Sequence, residues 1–148
     1  MKFTESDSSL IEVCRIVEER LRDVGHLQRV NLPVTLLPNF DDLPLPVTPK
    51  DPTAYDGSKH TILVNARVFP ELPQEVAQFA LAHEIGHHTH ETGITTSSPR
   101  FKGVHSCIVA DWLAAQWGFG EGMRTERLED RGGNSATNCR RSQVKRNS

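Results

Sequence analysis

LAHEIGHHTH, residues 81–90, holds four histidines and one glutamate within ten residues. An α-helix turns about 100° and rises about 1.5 Å per residue, so His83 and His87 lie on one face, nearly one turn apart. Both imidazoles can therefore reach the same ion, and Glu84 lies beside them. This H-E-x-x-H pattern combines two metal ligands with a general base. Its helical context and apolar flanks predict a buried metal site on a helix.

The other histidines fit such a site less well. His88 is rotated by about 100° from the preceding ligand position, and His90 lies about 10 Å along the axis from His83. The longer H-E-x-x-H-x-x-G-x-x-H pattern is absent, because Gly93 stands where its third histidine is required. We expect His88, His90 and His105 to be solvated surface residues.

A zinc ion needs at least one more protein ligand, and the next plausible donors lie in CIVADWLAAQWGF. Cys107 and Asp111 are four residues apart and share one face of a predicted helix. Cys107 is also close to the start of that helix, where the helix dipole favours a thiolate. The alternatives are that Cys107 is a small buried hydrophobic residue and that Asp111 is a surface carboxylate.

The hydrophobic periodicity predicts a mixed α+β domain over residues 1–131, with a small β-sheet packed on the active-site helix and flanking helices around it. The proline-rich segment is expected to be an extended surface loop, either a connector or the wall of a substrate groove. The predicted elements are a helix over 9–24, a strand in VTLLP, the loop over 38–58, a strand in TILVN, the active-site helix over 73–91, the second ligand helix over 106–117, ended by Gly118, and a short charged helix in EGMRTERLEDR.

Composition limits the class of protein. The chain has 148 residues and a formal net charge of −2, so neither a nucleic acid nor a membrane surface is required as a partner. No apolar run approaches the roughly 20 residues of a membrane span, and MKFTESDSS lacks the apolar core of a signal peptide. Three cysteines without framework spacing argue against a disulfide scaffold and predict a reducing, cytoplasmic location. Cys14 is expected to pack in the core.

Residues 132–148 are polar and basic, and we expect them to be disordered. Cys139 is expected to be an exposed thiol, although a flexible tail can also deliver it to the zinc. Such basic runs are most often solvated, but they can also contact nucleic-acid phosphates. The basic residues are Arg140, Arg141, Lys145 and Arg146.

Three stretches, ILVN (62–65), FALAHEIGHH (79–88) and VADWLAAQWGF (109–119), resemble the ImmA/IrrE-like zinc peptidases, gluzincin-type enzymes of bacteria and their mobile elements. The resemblance covers about the middle half of the chain. It implies a zincin-like minimal metallopeptidase domain that holds one Zn²⁺. In gluzincins the third ligand is usually the glutamate of an E-x-x-A-D or E-x-x-x-D pattern, whose aspartate orients a ligand histidine.

This chain departs from that pattern, because Cys107 stands at the glutamate position and Asp111 at the aspartate position. Two assignments follow. In the first, Cys107 is the third ligand and Asp111 orients a ligand histidine. In the second, Asp111 binds zinc and Cys107 blocks the position of the catalytic water, as a cysteine switch that keeps the enzyme latent.

The cysteine is also similar to that of the CapP peptidases of bacterial anti-phage signalling operons. That resemblance implies a cytoplasmic peptidase that cleaves a helix-turn-helix repressor, and a stress trigger such as DNA damage or single-stranded DNA. Glu84 would act as the general base, and Tyr55 and His105 are candidates for oxyanion support. An extended substrate would pair with an edge strand formed by Ile62, Leu63, Val64 and Asn65.

Two other classes of function remain open at this point. One is a non-enzymatic module with a closed four-ligand zinc site. The other is a nucleic-acid-binding sensor that has a vestigial metal site and uses the basic tail. The presence of Glu84 beside His83 favours the enzyme.

Overall fold

The computed structural model describes residues 2–3, 8–23, 32–92 and 103–129, and the predicted basic tail with Cys139 lies outside them. The described part has the mixed α+β composition that the periodicity predicts. Its elements, in chain order, are β1 (Lys2–Phe3), α1 (Ser8–Asp23), β2 (Pro33–Leu37), β3 (Thr53–Asp56), β4 (Thr61–Asn65), a 3₁₀ turn (Phe69–Glu71), α2 (Gln74–Glu91), α3 (Ser106–Ala114), a π-helical turn (Ala115–Phe119) and α4 (Gly120–Glu129).

The four strands form one sheet in the order β1-β2-β4-β3. β1 pairs with β2 and β2 with β4 in parallel, whereas β3 pairs with β4 antiparallel. The prediction that β4 is the sheet edge is therefore wrong, because β4 has a neighbour on each side. A run that is apolar on both faces is typical of an interior strand. Among the described strands, the edge beside β4 is β3, which lies within the segment predicted as the proline-rich loop.

The side chains on the two faces of β4 pack in two separate hydrophobic clusters. Ile62 and Val64 enter the main core with α1, α2 and α3, while Leu63 packs with Phe40 and Ala54 on the other face. Asn65 is fully buried and donates its side-chain amide to the carbonyls of Pro49 and Asp51. The predicted edge residues therefore build the core and hold the proline-rich loop.

The helices cover the sheet and surround α2. As predicted, α1 buries an apolar face, and Cys14 is a buried core residue. The predicted active-site helix is confirmed as α2, which is buried around most of its circumference from Val76 to Thr89. The second ligand helix is shorter than predicted, because the chain changes to a π-helical turn at Ala115. Gly118 breaks the helix as predicted, with a φ of +100° that favours glycine.

The contact between α2 and α3 is unusually close at Gly86. A Cβ placed on Gly86 would lie 2.9 Å from Cα and 3.0 Å from the carbonyl oxygen of Ala110. These are backbone atoms, so they cannot move aside as the end of a flexible side chain can. Gly86 thus allows the two helices to approach at the level of the histidines.

Among the described residues, no helix combines the length and the apolar character that a membrane crossing requires.

We expect Gly86→Ala to destabilise the protein by about 1–3 kcal/mol, the usual cost of overpacking, although alanine is intrinsically the better helix former. The free energy of unfolding, measured in urea, tests this. Gly120→Ala is the matched control, because Gly120 has helical φ and ψ and its Cβ would meet nothing within 4 Å. If Gly86→Ala lowered the free energy of unfolding no more than Gly120→Ala does, the close contact between α2 and α3 would be contradicted.

Candidate metal centre

Three side chains from two helices converge on one point. His83 and His87 come from α2 and Cys107 from the first turn of α3, and all three are buried. Their ligand atoms lie within 4.8 Å of one another. Nε2 of His87 is 3.1 Å from Nε2 of His83 and 3.4 Å from Sγ of Cys107. This group can hold a metal ion.

The donor spacing suits zinc. Tetrahedral ligands at about 2.0 Å (nitrogen) and about 2.3 Å (sulfur) from the ion stand about 3.3 Å apart for two nitrogens and about 3.5 Å apart for nitrogen and sulfur. The observed separations of 3.1 and 3.4 Å are shorter than these values by about 0.2 and about 0.1 Å. Two imidazoles and a thiolate are also a donor set that zinc accepts.

The far nitrogens of both histidines have partners on α3. Nδ1 of His83 donates to Oδ1 of Asp111 at 2.8 Å, because an ionised carboxylate can only accept. Nδ1 of His87 lies 2.8 Å from Oγ of Ser106. A proton on Nδ1 leaves the Nε2 lone pair for a metal, so these contacts orient both rings as ligands. Ser106 was not predicted, and only its place beside Cys107 pointed to it.

The position of Asp111 favours one of the two assignments. Its carboxylate lies behind His83, on the nitrogen opposite the one that faces His87 and Cys107. Asp111 is not in the converging group of metal donors. The geometry therefore favours Cys107 as the third ligand and Asp111 as the residue that orients His83.

Cys107 is fully buried, and its backbone N–H donates to Nδ1 of His105 at 3.1 Å. His105 thus caps the start of α3 and is not the solvated residue that we predicted. The structure gives Cys107 as disulfide-bonded, which departs from the prediction of reduced thiols. A sulfur in a disulfide offers no thiolate, so a metal site at this position requires the reduced form.

Glu84 lies next to the converging donors. It is 5% exposed, and its Oε1 is 3.9 Å from Nε2 of His83. Its Oε2 has no hydrogen-bond partner among the described residues. Burial raises the pKa of the Glu84 carboxyl to about 7, although the nearby His83 acts in the opposite direction. A buried carboxyl with one oxygen unsatisfied indicates that a water molecule or a cation belongs beside it.

Burial lowers the pKa of His87 well below its usual value, and the neighbouring His83 lowers it further. His87 is therefore neutral near pH 7, which is the form that binds a metal.

A cavity of about 460 Å³ opens onto this group. Its walls are the proline-rich loop, the edge strand β3 with the turn after it, and α2. The proline-rich loop lines this cavity; that the cavity is a substrate groove stays a prediction. The lining residues are Pro44, Leu45, Pro46, Val47, Asp51, Thr53, Ala54, Tyr55, Asp56, Gly57, Ser58, Ala80, His83, Glu84, His87 and Glu91.

Tyr55 of β3 is held at the cavity wall by two histidines. Its Oη is 2.8 Å from Nδ1 of His88 and 2.9 Å from Nδ1 of His60. Its ring is parallel to that of His87, with centroids 6.5 Å apart. His88 is thus half-buried and hydrogen-bonded, which corrects its predicted surface role, and His90 is also only half-exposed. His60 carried no signal in the sequence.

Comparison with known proteins gives no match: no family model, no curated protein and no solved structure matches the chain.

We expect Cys107→Ser to weaken zinc binding by more than about 100-fold in reductant, because it removes the thiolate ligand. We expect Asp111→Asn to weaken zinc binding by about 10–100-fold, the usual effect of losing the hydrogen-bond partner that orients a ligand histidine. Chelator competition measures both values. Asp41→Asn is the control, since Asp41 is exposed and pairs only weakly with Arg67 at 3.7 Å. If Asp111→Asn lost the metal and Cys107→Ser kept it, Asp111 would be the third ligand and Cys107 would not.

Proposed function

We propose that the protein is a zinc-dependent endopeptidase. The observation that carries the proposal is the Glu84 carboxylate, buried beside two histidines and a cysteine with one oxygen unsatisfied, at the wall of a cavity. A site that only stabilises the fold has no need for such a carboxylate, because its ligands fill the coordination sphere. A hydrolase needs it as a general base.

His83, His87 and Cys107 hold the ion in this proposal, and Asp111 and Ser106 orient the two imidazoles. Bound zinc supplies a Lewis acid that polarises a carbonyl and lowers the pKa of a water molecule. Glu84 takes the proton of the attacking water and passes it to the leaving amine. Tyr55 is the better candidate for oxyanion support, because it lines the cavity and His105 does not.

The substrate lies along β3 rather than β4. An edge strand offers its free backbone groups to an extended peptide, which then adds to the sheet. β3 is the edge on the cavity side, and each of its residues from Thr53 to Asp56 lines the cavity. The backbone of a substrate paired with β3 would pass in front of His83 and His87.

The nature of the protein substrate rests on the resemblance alone. We propose a helix-turn-helix repressor, cleaved in the cytoplasm after a stress signal such as DNA damage, with single-stranded DNA as the activator. Cleavage of the repressor requires that the peptidase binds it. A cleavage assay with candidate repressors from neighbouring genes tests this directly. Stability of every such repressor in the presence of active enzyme would remove this part of the proposal.

Latency through Cys107 takes a different form from the one predicted. With Asp111 placed behind His83, Cys107 is needed as a ligand, and its release exposes a weaker site instead of an active one. A cysteine switch would make Cys107→Ser more active than the parent protein, whereas a third ligand makes it less active. We propose the second outcome. Oxidation of Cys107 would then switch the enzyme off, because it removes a ligand.

A closed, non-enzymatic zinc site is the second candidate function. The observation that favours it is the presence of Cys107 in the donor group, since cysteine is typical of structural zinc sites. A fourth protein ligand would be needed to close the sphere. In that case removal of zinc unfolds the domain, and Glu84 is dispensable.

We expect Glu84→Gln to retain one zinc ion and to lose peptide cleavage by at least about 10³-fold, the order of effect of removing a general base. Glutamine has nearly the same shape but cannot accept the proton. Metal content and cleavage are measured on the same reduced sample. Glu71→Gln, a surface carboxylate on the 3₁₀ turn, is the control for a change of charge. Cleavage by Glu84→Gln at the parental rate would rule out this mechanism.

A further inference from the structure

The cavity is strongly acidic. Four carboxylates line it, and no lysine or arginine is found among the described residues of its wall. The chain as a whole is nearly neutral, with a formal net charge of −2, so this concentration of one sign is local. A cleft lined by one sign of charge raises the local concentration of ligands of the opposite sign. The four carboxylates belong to Asp51, Asp56, Glu84 and Glu91.

Two of these carboxylates have a role already. Glu84 is the general base in the proposed function. Asp51 is buried and accepts a hydrogen bond from the backbone N–H of Thr48 at 2.8 Å, so it holds the proline-rich loop. The negative charge of Asp51 still reaches the site, since it contributes to the raised pKa of Glu84.

The other two carboxylates line the cavity from the ends of two elements, since Asp56 ends β3 and Glu91 ends α2. A Cβ placed on Gly57, the residue after Asp56, would lie 3.3 Å from Oε1 of Glu91, so the two elements meet there. Burial raises the pKa of Tyr55 to about 12, with smaller contributions from the charges of Glu91 and Asp56. We refer to Asp56 and Glu91 as the acidic end.

Asp56 carries its charge at neutral pH. Hydrogen bonds from the hydroxyl and the backbone N–H of Ser58 lower the pKa of its carboxyl. Lys59 contributes to the same shift, but it is exposed and does not line the cavity. Glu91 is also exposed, as the last residue of α2. The acidic end is thus open to a ligand that arrives from solvent.

The unsatisfied Oε2 of Glu84 points independently to a ligand in this cavity. It is a buried acceptor at the wall, about two helical turns before Glu91 on α2. Another part of the wall is apolar, made by Leu45 and Val47 with the neighbouring prolines. An apolar wall beside a negative end suits a side chain with an aliphatic stem and a cationic head.

We propose that the cavity selects a peptide segment with a lysine or arginine close to the scissile bond, whose cationic head is bound by Asp56 and Glu91. This inference rests on the proposed function for its scissile bond. The aliphatic stem lies against Leu45 and Val47, and the backbone pairs with β3. Acidic segments are rejected, because their carboxylates would meet the like charges of Asp56 and Glu91.

The test is binding to the reduced, zinc-loaded, full-length Glu84→Gln protein, which does not turn over its ligand. A pool of random decapeptides is bound, washed and sequenced, and the best peptide is resynthesised with glutamine or glutamate in place of its basic residue. We expect enrichment of lysine and arginine and about tenfold weaker binding of the glutamine peptide, the effect of one or two partly screened ion pairs.

The added double substitution Asp56→Asn and Glu91→Gln is expected to reduce that difference to less than about twofold. Adding Glu121→Gln, an exposed carboxylate on α4, is the matched control and should leave the difference intact. Equal binding of the three peptides, preference for the acidic peptide, or no retained peptide would overturn the inference.

Cleavage by the parent protein separates this inference from the proposed function. Cleavage without a preference for basic segments would contradict the proposed selectivity but would agree with the proposed peptidase activity. Selective binding of basic segments without any cleavage leaves the inference about the cavity and removes the peptidase.

Discussion

The close approach of α2 and α3 at Gly86 and Ala110 is the contact on which the metal centre depends. The two helices touch backbone to backbone there, and each carries its functional side chains within one turn of the contact. On one side of it His83 meets Asp111, and on the other His87 meets Ser106 and Cys107. A longer distance between the helices would separate the ligands from the residues that orient them.

Burial explains the chemical character of the site. It keeps His87 neutral and raises the pKa of Glu84 to about 7, so the uncharged forms are favoured without a metal. A divalent cation reverses this preference for the carboxylate, because its charge stabilises the ionised form nearby. The same burial makes the unsatisfied oxygen of Glu84 a position that water or a cation must occupy.

The sequence predicted the parts of the site that depend on local geometry. His83, Glu84 and His87 follow from the pitch of one helix, and Cys107 and Asp111 share a face for the same reason. Whether Cys107 or Asp111 points toward the metal position depends on how α3 is rotated relative to α2. That rotation is set by the contact of Ala110 with Gly86, which no periodicity reveals.

The sheet shows the same limit. β4 was recognised from its β-branched run, but its neighbours on both sides are a matter of topology. β3 was missed because Thr53–Asp56 is short, lacks a repeated apolar pattern and follows directly after a proline. Tyr55 and its partner His60 were missed as a pair for a related reason, since a turn brings them together. The cavity wall is thus the part of the site that local sequence patterns predict least well.

Zinc K-edge absorption spectroscopy on the reduced protein, with metal content counted on the same sample, tests the central claim most directly. We expect one zinc ion per chain, with two imidazole nitrogens at about 2.0–2.1 Å and one sulfur at about 2.3 Å. A first shell of nitrogen and oxygen alone would exclude Cys107 as the third ligand and contradict the assignment. Protein that binds no metal at all would contradict the metal centre itself.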